Sequence, residues 1–325
     1  MAESKKAPRF DFTTLGETML RISVSPGTPL ETAAGAALYA AGSESNVAAA
    51  LASLGYRTAW CSRLPDTPPG RLVANQIRQA GVDMSLVQWS PTGRVGTMYV
   101  ELASPPTPVR VTYDRAGSCA TEMTVDSIPW DELLSTRVLH LTGITPALSP
   151  QCLAVAKEAI ARAAAAKVPV SFDVNFRAKL WSAKQARDTL LPLLKSVALL
   201  FVGESDATEV LGLTGSPEEK LKALTGLTSA KQIVLTIGNE GTLAWDNGNI
   251  IRQPAEPTTV IDRLGAGDAL AAGVIHGWLD NDFITGLRAG AALAALALRR
   301  HGDIVIARRD ELKSLMGARS NRPQR

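Results

Sequence analysis

Cysteine is scarce in this chain: among 325 residues only Cys61, Cys119 and Cys152 carry a thiol. Their number is odd, they are widely spaced and no CxxC pair occurs, which argues against a disulfide framework and a cysteine-based zinc site. A reduced, cytoplasmic setting is the expectation. Histidine is equally scarce, and His140, His276 and His301 do not pair at helical spacing, so a histidine metal cluster is not expected. Long apolar runs are missing too. The best candidate, residues 289–298, is alanine-rich, ends at Arg299 and Arg300, and falls well short of the ~20 residues of a membrane span. MAESKKAPRF has two lysines with no apolar segment behind them, so no secretory leader is expected. Nor does one sign of charge dominate. Against 34 Lys and Arg stand 31 Asp and Glu, and the net charge of +3 gives no reason to expect nucleic acid or a membrane surface as partner.

What is present is a large apolar fraction, 46%, in a chain long for one simple core but within the range of single α/β domains. Short apolar runs at 12–15, 57–62, 138–141, 170–173, 198–202 and 233–237 read as strands. Helix-like segments at 45–54, 70–80 and 150–166 separate them, and the chain after 267 is mostly helical. Gly55 and Gly81 stop two of these helices. Such alternation predicts an α/β fold with a mostly parallel sheet and helices on both faces. Residues 18–38 and 93–119 break the rhythm with alternating, proline-containing pieces. VGTMYVELA and RVTYDRAG read as hairpin arms around the loop SPPTP, so a small side sheet, able to act as a lid, is expected within a single domain spanning 1–325. No repeat or long linker interrupts the chain, and its ends are expected to fray.

One stretch carries chemistry: VIDRLGAGDALAAG, residues 260–273, where a strand-like piece gives way to a helix. Glycines let backbone approach a phosphate, and the unpaired N–H groups and dipole at a helix start favour anions. Gly265, Ala266 and Gly267 therefore have the chemistry of an anion hole, and Asp268 adds a proton acceptor beside it. Together they point to phosphoryl transfer onto a hydroxyl. The plainer reading of the same four residues is a turn followed by a helix cap.

This stretch resembles the signature of the ribokinase-type carbohydrate kinase family, and it does not stand alone. AGSESNVAAALASLG (41–55), SRLPDTPPGRLVANQIRQAGVD (62–83), SFDVNFRAKLW (171–181) and VLTIGNEGTLAW (234–245) resemble further family blocks in the family's order. Within the family, FDVNFRAKLW, DRLGAGD, TYDRAGSCA and HGDI are most similar to 2-keto-3-deoxygluconate kinases. The resemblance implies a ribokinase-like core with a small β-sheet lid, and an ATP-dependent kinase acting on the terminal hydroxyl of an acidic keto sugar. It implies ATP and Mg²⁺ as cofactors, leaves a monovalent cation open, and implies a homo-oligomer formed through the lid. By the same resemblance Asp268 is the general base, with Gly265, Ala266 and Gly267 as anion-hole amides. Gly42, Asn46, Tyr99, Tyr113, Arg115, Asn175 and Arg177 contact the substrate, and Thr236, Gly238 and Gly241 line the nucleotide site.

A sugar acid suits guanidinium groups, which bind carboxylates through two parallel hydrogen bonds. Arg115 and Arg177 are the candidates, although an arginine's commoner fate is solvation or pairing with a neighbour such as Asp114 or Asp173. Tyr99 and Tyr113 have the plainer alternative of packing the lid, and His140 that of a satisfied buried histidine. The chain departs from the family where relatives carry an Asn-x-x-Glu that organises magnesium: here the residues are Gly203-Glu204-Ser205-Asp206. Asp206 and Glu204 remain the metal candidates, acting through water. Ala41 replaces a second glycine of the sugar turn, and Asp114 stands where a second tyrosine is frequent. Kinases for fructose, ribose or 5-dehydro-2-deoxygluconate are the alternatives, as is a non-catalytic sugar or nucleotide sensor on the same fold.

Overall fold

Leu200 and Phe201, like Ile233 and Val234, are consecutive apolar residues because both faces of their strands are covered: one of each pair enters either of two large cores. A computed structural model describes residues 7–103 and 108–317. Residues 104–107 of the SPPTP loop, and residues 1–6 and 318–325 at the two ends expected to fray, lie outside the described residues. Thirteen strands run through the described chain: β1 (Phe12–Leu15), β2 (Met19–Ser23), β3 (Ala37–Ala41), β4 (Thr58–Pro65), β5 (Val87–Ser90), β6 (Thr97–Glu101), β7 (Arg110–Asp114), β8 (Leu139–Thr142), β9 (Val170–Asp173), β10 (Leu199–Gly203), β11 (Gln232–Thr236), β12 (Thr242–Asp246) and β13 (Asn249–Gln253).

Nine of them form the main sheet, in the order β13-β12-β11-β10-β9-β8-β1-β4-β5. From β11 to β5 every neighbouring pair is parallel, and β12 and β13 add an antiparallel hairpin at one edge. The helices Ser43–Ser53, Pro68–Gln79, Ala266–Leu279 and Phe283–Leu298 cover one face. Pro150–Ala166, Ala183–Leu194 and Pro217–Leu224 cover the other. This is the α/β architecture expected from the alternation. The chain winds outward from β1 in both directions, β4 joining on one side and β8 on the other, so the strand order reverses between β1 and β8. In open α/β sheets such a reversal leaves a crevice at the strands' carboxyl ends, where ligands bind.

The two segments that broke the rhythm form a separate sheet of order β3-β2-β6-β7. The hairpin arms pair as expected, Met98 opposite Tyr113. The first segment extends past residue 38, since Ala41 still pairs with Met19. Met19, Ala41, Met98 and Val100 make a third apolar cluster, against which Leu264 packs. The small sheet therefore sits on the loop that carries the glycine turn.

Candidate active site

Two helices bring their starts together at the crevice. The helix Ser43–Ser53 begins after Gly42, where any Cβ would lie 2.5 Å from the Glu17 carbonyl oxygen. The helix Ala266–Leu279 begins after Gly265, whose φ of +82° and close approach to the Asp303 carbonyl (2.4 Å from a Cβ placed there) both require glycine. Its first intrahelical bond is Ala269 N to Gly265 O, which leaves the preceding N–H groups of Gly265, Ala266 and Gly267 ahead of the helical ladder. A Cβ on Gly267 would meet nothing within 4 Å, so an incoming group can approach that backbone closely.

Asp268 is held from both sides. Ser43 Oγ donates to its Oδ1 at 2.6 Å and Asn46 Nδ2 to its Oδ2 at 2.7 Å. Asn175 Nδ2 donates to Ser43 Oγ at 2.9 Å and to Asp173 Oδ2 at 3.3 Å, from a backbone with φ +41°, a conformation asparagine tolerates. Burial raises the pKa of Asp268, and the bonds from Ser43 and Asn46 oppose the rise. Burial, reinforced by the charges of Asp268 and Asp206, pushes Asp173 up to about 8. Glu44, fully buried behind them, accepts from Thr142 Oγ1 at 2.7 Å and Thr145 Oγ1 at 2.8 Å, and burial pushes it up to about 6.

Asp268, Gly265, Gly42 and Asn46 line a cavity of about 80 Å³ together with Tyr113, Arg115 and Arg177. An adjoining cleft of about 850 Å³ shares those last three residues and runs between β7 and the loop after β9. The two arginines differ. Arg115 is buried and spent on Glu17, with Nε at 2.8 Å and Nη2 at 2.5 Å from one carboxylate oxygen, while Ser118 Oγ takes the other at 2.5 Å. Its sequence neighbour Asp114 pairs instead with Arg94. Arg177 is exposed, donates only to the Phe176 carbonyl at 3.0 Å, and makes no ion pair among the described residues.

The expectation for Tyr99 is corrected. Met98 and Tyr113 face each other in the register and both line the small cavity, so period-two alternation turns Tyr99 to the opposite face of the small sheet. Glu204 gives one carboxylate oxygen to Lys220 Nζ at 2.9 Å. Gly241 has φ +103° and a Cβ there would lie 2.2 Å from Gln253 O, so packing of the edge hairpin alone requires this glycine. Gly238, by contrast, is open around its Cα. Thr236 pairs with Gly203 across β11 and β10, and a Cβ on Gly203 would meet Ser205, Asp206 and Thr236 only at ordinary contact distance. The carboxyl ends of these two strands thus form a roomy edge bounded by Asp206, which accepts from Phe176 N at 3.0 Å.

No group of three or more metal-type side chains gathers among the described residues. The arrangement suits magnesium held by one or two carboxylates, phosphates and water, not an all-protein cage. Asp206 fits that description, while Glu204 shares its carboxylate with Lys220.

Sequence reasoning missed Ser43, Glu17, Glu44, Met98, Asp173 and Asp303 as parts of this site. Ser43 stands within the quoted AGSESN turn and Asp303 within HGDI, so their proximity was available as a signal. Glu17 and Glu44 read as ordinary acidic residues until the fold buries them.

Comparisons with known proteins place the chain in a family. The profile of the pfkB family carbohydrate kinases matches residues 11–309. The chain is 36% identical over 307 residues to a 2-dehydro-3-deoxygalactonokinase of Haloferax volcanii, covering 94% of this chain and 96% of that protein. It is 31% identical to a 2-dehydro-3-deoxygluconokinase of Thermoproteus tenax, covering 89% and 88%. The solved 2-dehydro-3-deoxygluconokinase of Thermotoga maritima superposes with a TM-score of 0.88 at 26% identity, covering 96% of this chain and all of that one.

Proposed function

The chain belongs to the pfkB family of carbohydrate kinases, and on that premise we propose that it transfers the γ-phosphate of ATP to the terminal hydroxyl of an acidic 2-keto-3-deoxy sugar, 2-keto-3-deoxygluconate. The observation that carries the substrate class is Arg177, an exposed guanidinium without an ion-pair partner among the described residues, lining the same cavity as Asp268. Its charge reaches Asp173, Asp206 and Asp268 at longer range, and a carboxylate on the acceptor adds a direct partner through paired hydrogen bonds. The relatives from Haloferax volcanii and Thermoproteus tenax bear the names of the galactonate and gluconate kinases respectively, so the galacto epimer is the second acceptor to test.

In the proposed reaction Asp268 accepts the proton of the acceptor hydroxyl as its oxygen forms the new bond to the γ-phosphorus. The bond from that phosphorus to the β–γ bridging oxygen breaks, and ADP leaves. The N–H groups of Gly265, Ala266 and Gly267 stabilise the charge spread over the transferring phosphoryl oxygens. Ser43 and Asn46 orient the Asp268 carboxylate, and Asn175 orients Ser43. Thr236 and Gly238 provide the open strand edge for the nucleotide. Magnesium, when bound through Asp206 and water, neutralises the phosphate charge. The small sheet, seated on the turn through Leu264, serves as the lid that excludes water.

A second reading rests on the Arg115–Glu17 pair. Glu17 cancels one of the two guanidinium charges facing the cavity, and a neutral sugar needs neither. The test is a coupled ATP-consumption assay over 2-keto-3-deoxygluconate, its galacto epimer, 5-dehydro-2-deoxygluconate, fructose and ribose, repeated with Arg177→Ala. The acidic-substrate reading expects turnover on the first two and a raised KM in the variant. Preference for fructose or ribose, with a KM untouched by Arg177→Ala, sinks it.

A further inference from the structure

Arg21 lies on β2 of the small sheet with no solvent exposure, an uncommon place for a guanidinium, and none of the chemistry above uses it. All three arms of its fork are committed. Nη2 donates to Asp262 Oδ2 at 2.5 Å, Nη1 to Asp303 Oδ1 at 2.6 Å and Nε to Ser23 Oγ at 2.7 Å. The ring of Tyr39, on the neighbouring β3, lies 5.5 Å away.

Both carboxylates belong to the walls of the glycine turn. Asp262 Oδ1 accepts from Leu264 N at 3.1 Å, the residue that leads into Gly265, and its Oδ2 also accepts from Gly302 N at 3.3 Å. Asp303 brings its carbonyl against Gly265 so closely that a Cβ there would lie 2.4 Å from it, and it lines the cavity shared with Asp268. One side chain from the small sheet therefore grips the segment entering the turn and the segment backing it. Two carboxylates and one guanidinium buried from solvent contribute little as stability alone, because desolvation offsets the attraction. The same fork is well suited to fixing geometry.

We propose that Arg21 is a positioning residue for phosphoryl transfer, holding the Gly265–Gly267 turn and Asp303 in register with the seated small sheet. The inference rests on the reading of that turn as the anion hole. Arg21 touches no reacting atom; it sets where the turn's amides point. A misplacement of about 1 Å in such a group costs on the order of 10²-fold in rate.

The test compares Arg21→Lys, Arg21→Ala and Asp268→Asn in the full chain. Lysine keeps the buried charge, so the variant is expected to fold, but it cannot span Asp262, Asp303 and Ser23 at once. The expectation for Arg21→Lys is a kcat lower by about 10²-fold with both KM values held. In Arg21→Ala, added guanidinium at non-denaturing concentration restores part of kcat, while urea does not. Wild-type kcat in Arg21→Lys, or an effect seen only as a lower Tm, overturns the proposal. The arms separate the two layers of the argument. Asp268→Asn with intact turnover removes the reading of the turn and Arg21's role with it. A dead Asp268→Asn beside a fully active Arg21→Lys removes only the role of Arg21.

Discussion

Asp268 occupies the third position of its helix, where an aspartate by itself reads as a cap. Here its carboxylate is turned onto Ser43 and Asn46 of another helix and faces a cavity. Asn46 can still donate to the carbonyl oxygen of an asparagine there, and Ser43 Oγ can turn to accept from its amide nitrogen, so the side chain is held in nearly the same place. Asp268→Asn therefore isolates the proton acceptor from the scaffold. The expected result is loss of kcat by about 10²–10⁴-fold with ATP affinity unchanged, read by steady-state kinetics and nucleotide titration. Turnover at the wild-type rate would remove Asp268 from the chemistry. The arginines show the limit of residue-level reading: Arg115 and Arg177 look alike in sequence, and only the burial of Glu17 beside one of them separates a structural ion pair from an available cation.

The pair of helices that follows the turn sets how firmly Asp268 is held. Ala266–Leu279 and Phe283–Leu298 touch backbone to backbone, with Gly273 against Gly290 and Gly277 against Gly286. A Cβ on Gly277 would lie 2.3 Å from both Gly286 Cα and N and 2.5 Å from Asp282 O. Alanine at 277 gains roughly 1 kcal/mol of helix propensity. The clash is with backbone on the partner helix, so relief requires the helices to part, and such overpacking costs about 1–3 kcal/mol. Gly277→Ala is thus expected to lower the urea midpoint. A midpoint at or above wild type would show that propensity wins and the helices can separate freely. The small sheet teaches a related lesson: strand parity decides that Met98, and not Tyr99, faces the cavity.

Across the whole molecule, the convergence of several elements on one crevice concentrates buried acid. Glu44 and Asp303 are each pushed up to about 6 and Asp173 to about 8, burial being the largest cause in all three. In the unfolded chain such groups lose their protons near pH 4. Above that, the folded chain binds more protons than the unfolded one, so these groups' stabilisation is complete at low pH and is lost as pH rises through 6 and then 8. Asp11 shifts the other way: burial raises its pKa, but the bonds from Arg57 bring the net value below the usual range, and its contribution is lost as pH falls into the acid range. Tm is therefore expected to peak in mildly acidic buffer and decline toward about pH 8.5, with Asp173→Asn flattening the last part of the decline. A Tm that climbs between about pH 6 and 8.5 contradicts the assignment.

The sequence by itself determined the alternation of strands and helices, the two inserted segments and the Gly-Ala-Gly-Asp turn. Each is a local signal, written in apolar periodicity, proline placement or consecutive small residues. It also carried the family's ordered blocks, and so the reaction class. Tertiary structure alone decided which charges are paired. Glu17 meets Arg115 98 positions away and Arg21 meets Asp262 241 positions away. No spacing rule links such residues, because the topology of the sheet and not the path of the chain brings them together. It decided, too, the face of Tyr99, the pairing of Glu204 with Lys220, and the packing need at Gly241. A carboxylate's chemistry depends on its neighbours and its distance from water, and both exist only once the two sheets and their helices have closed around it.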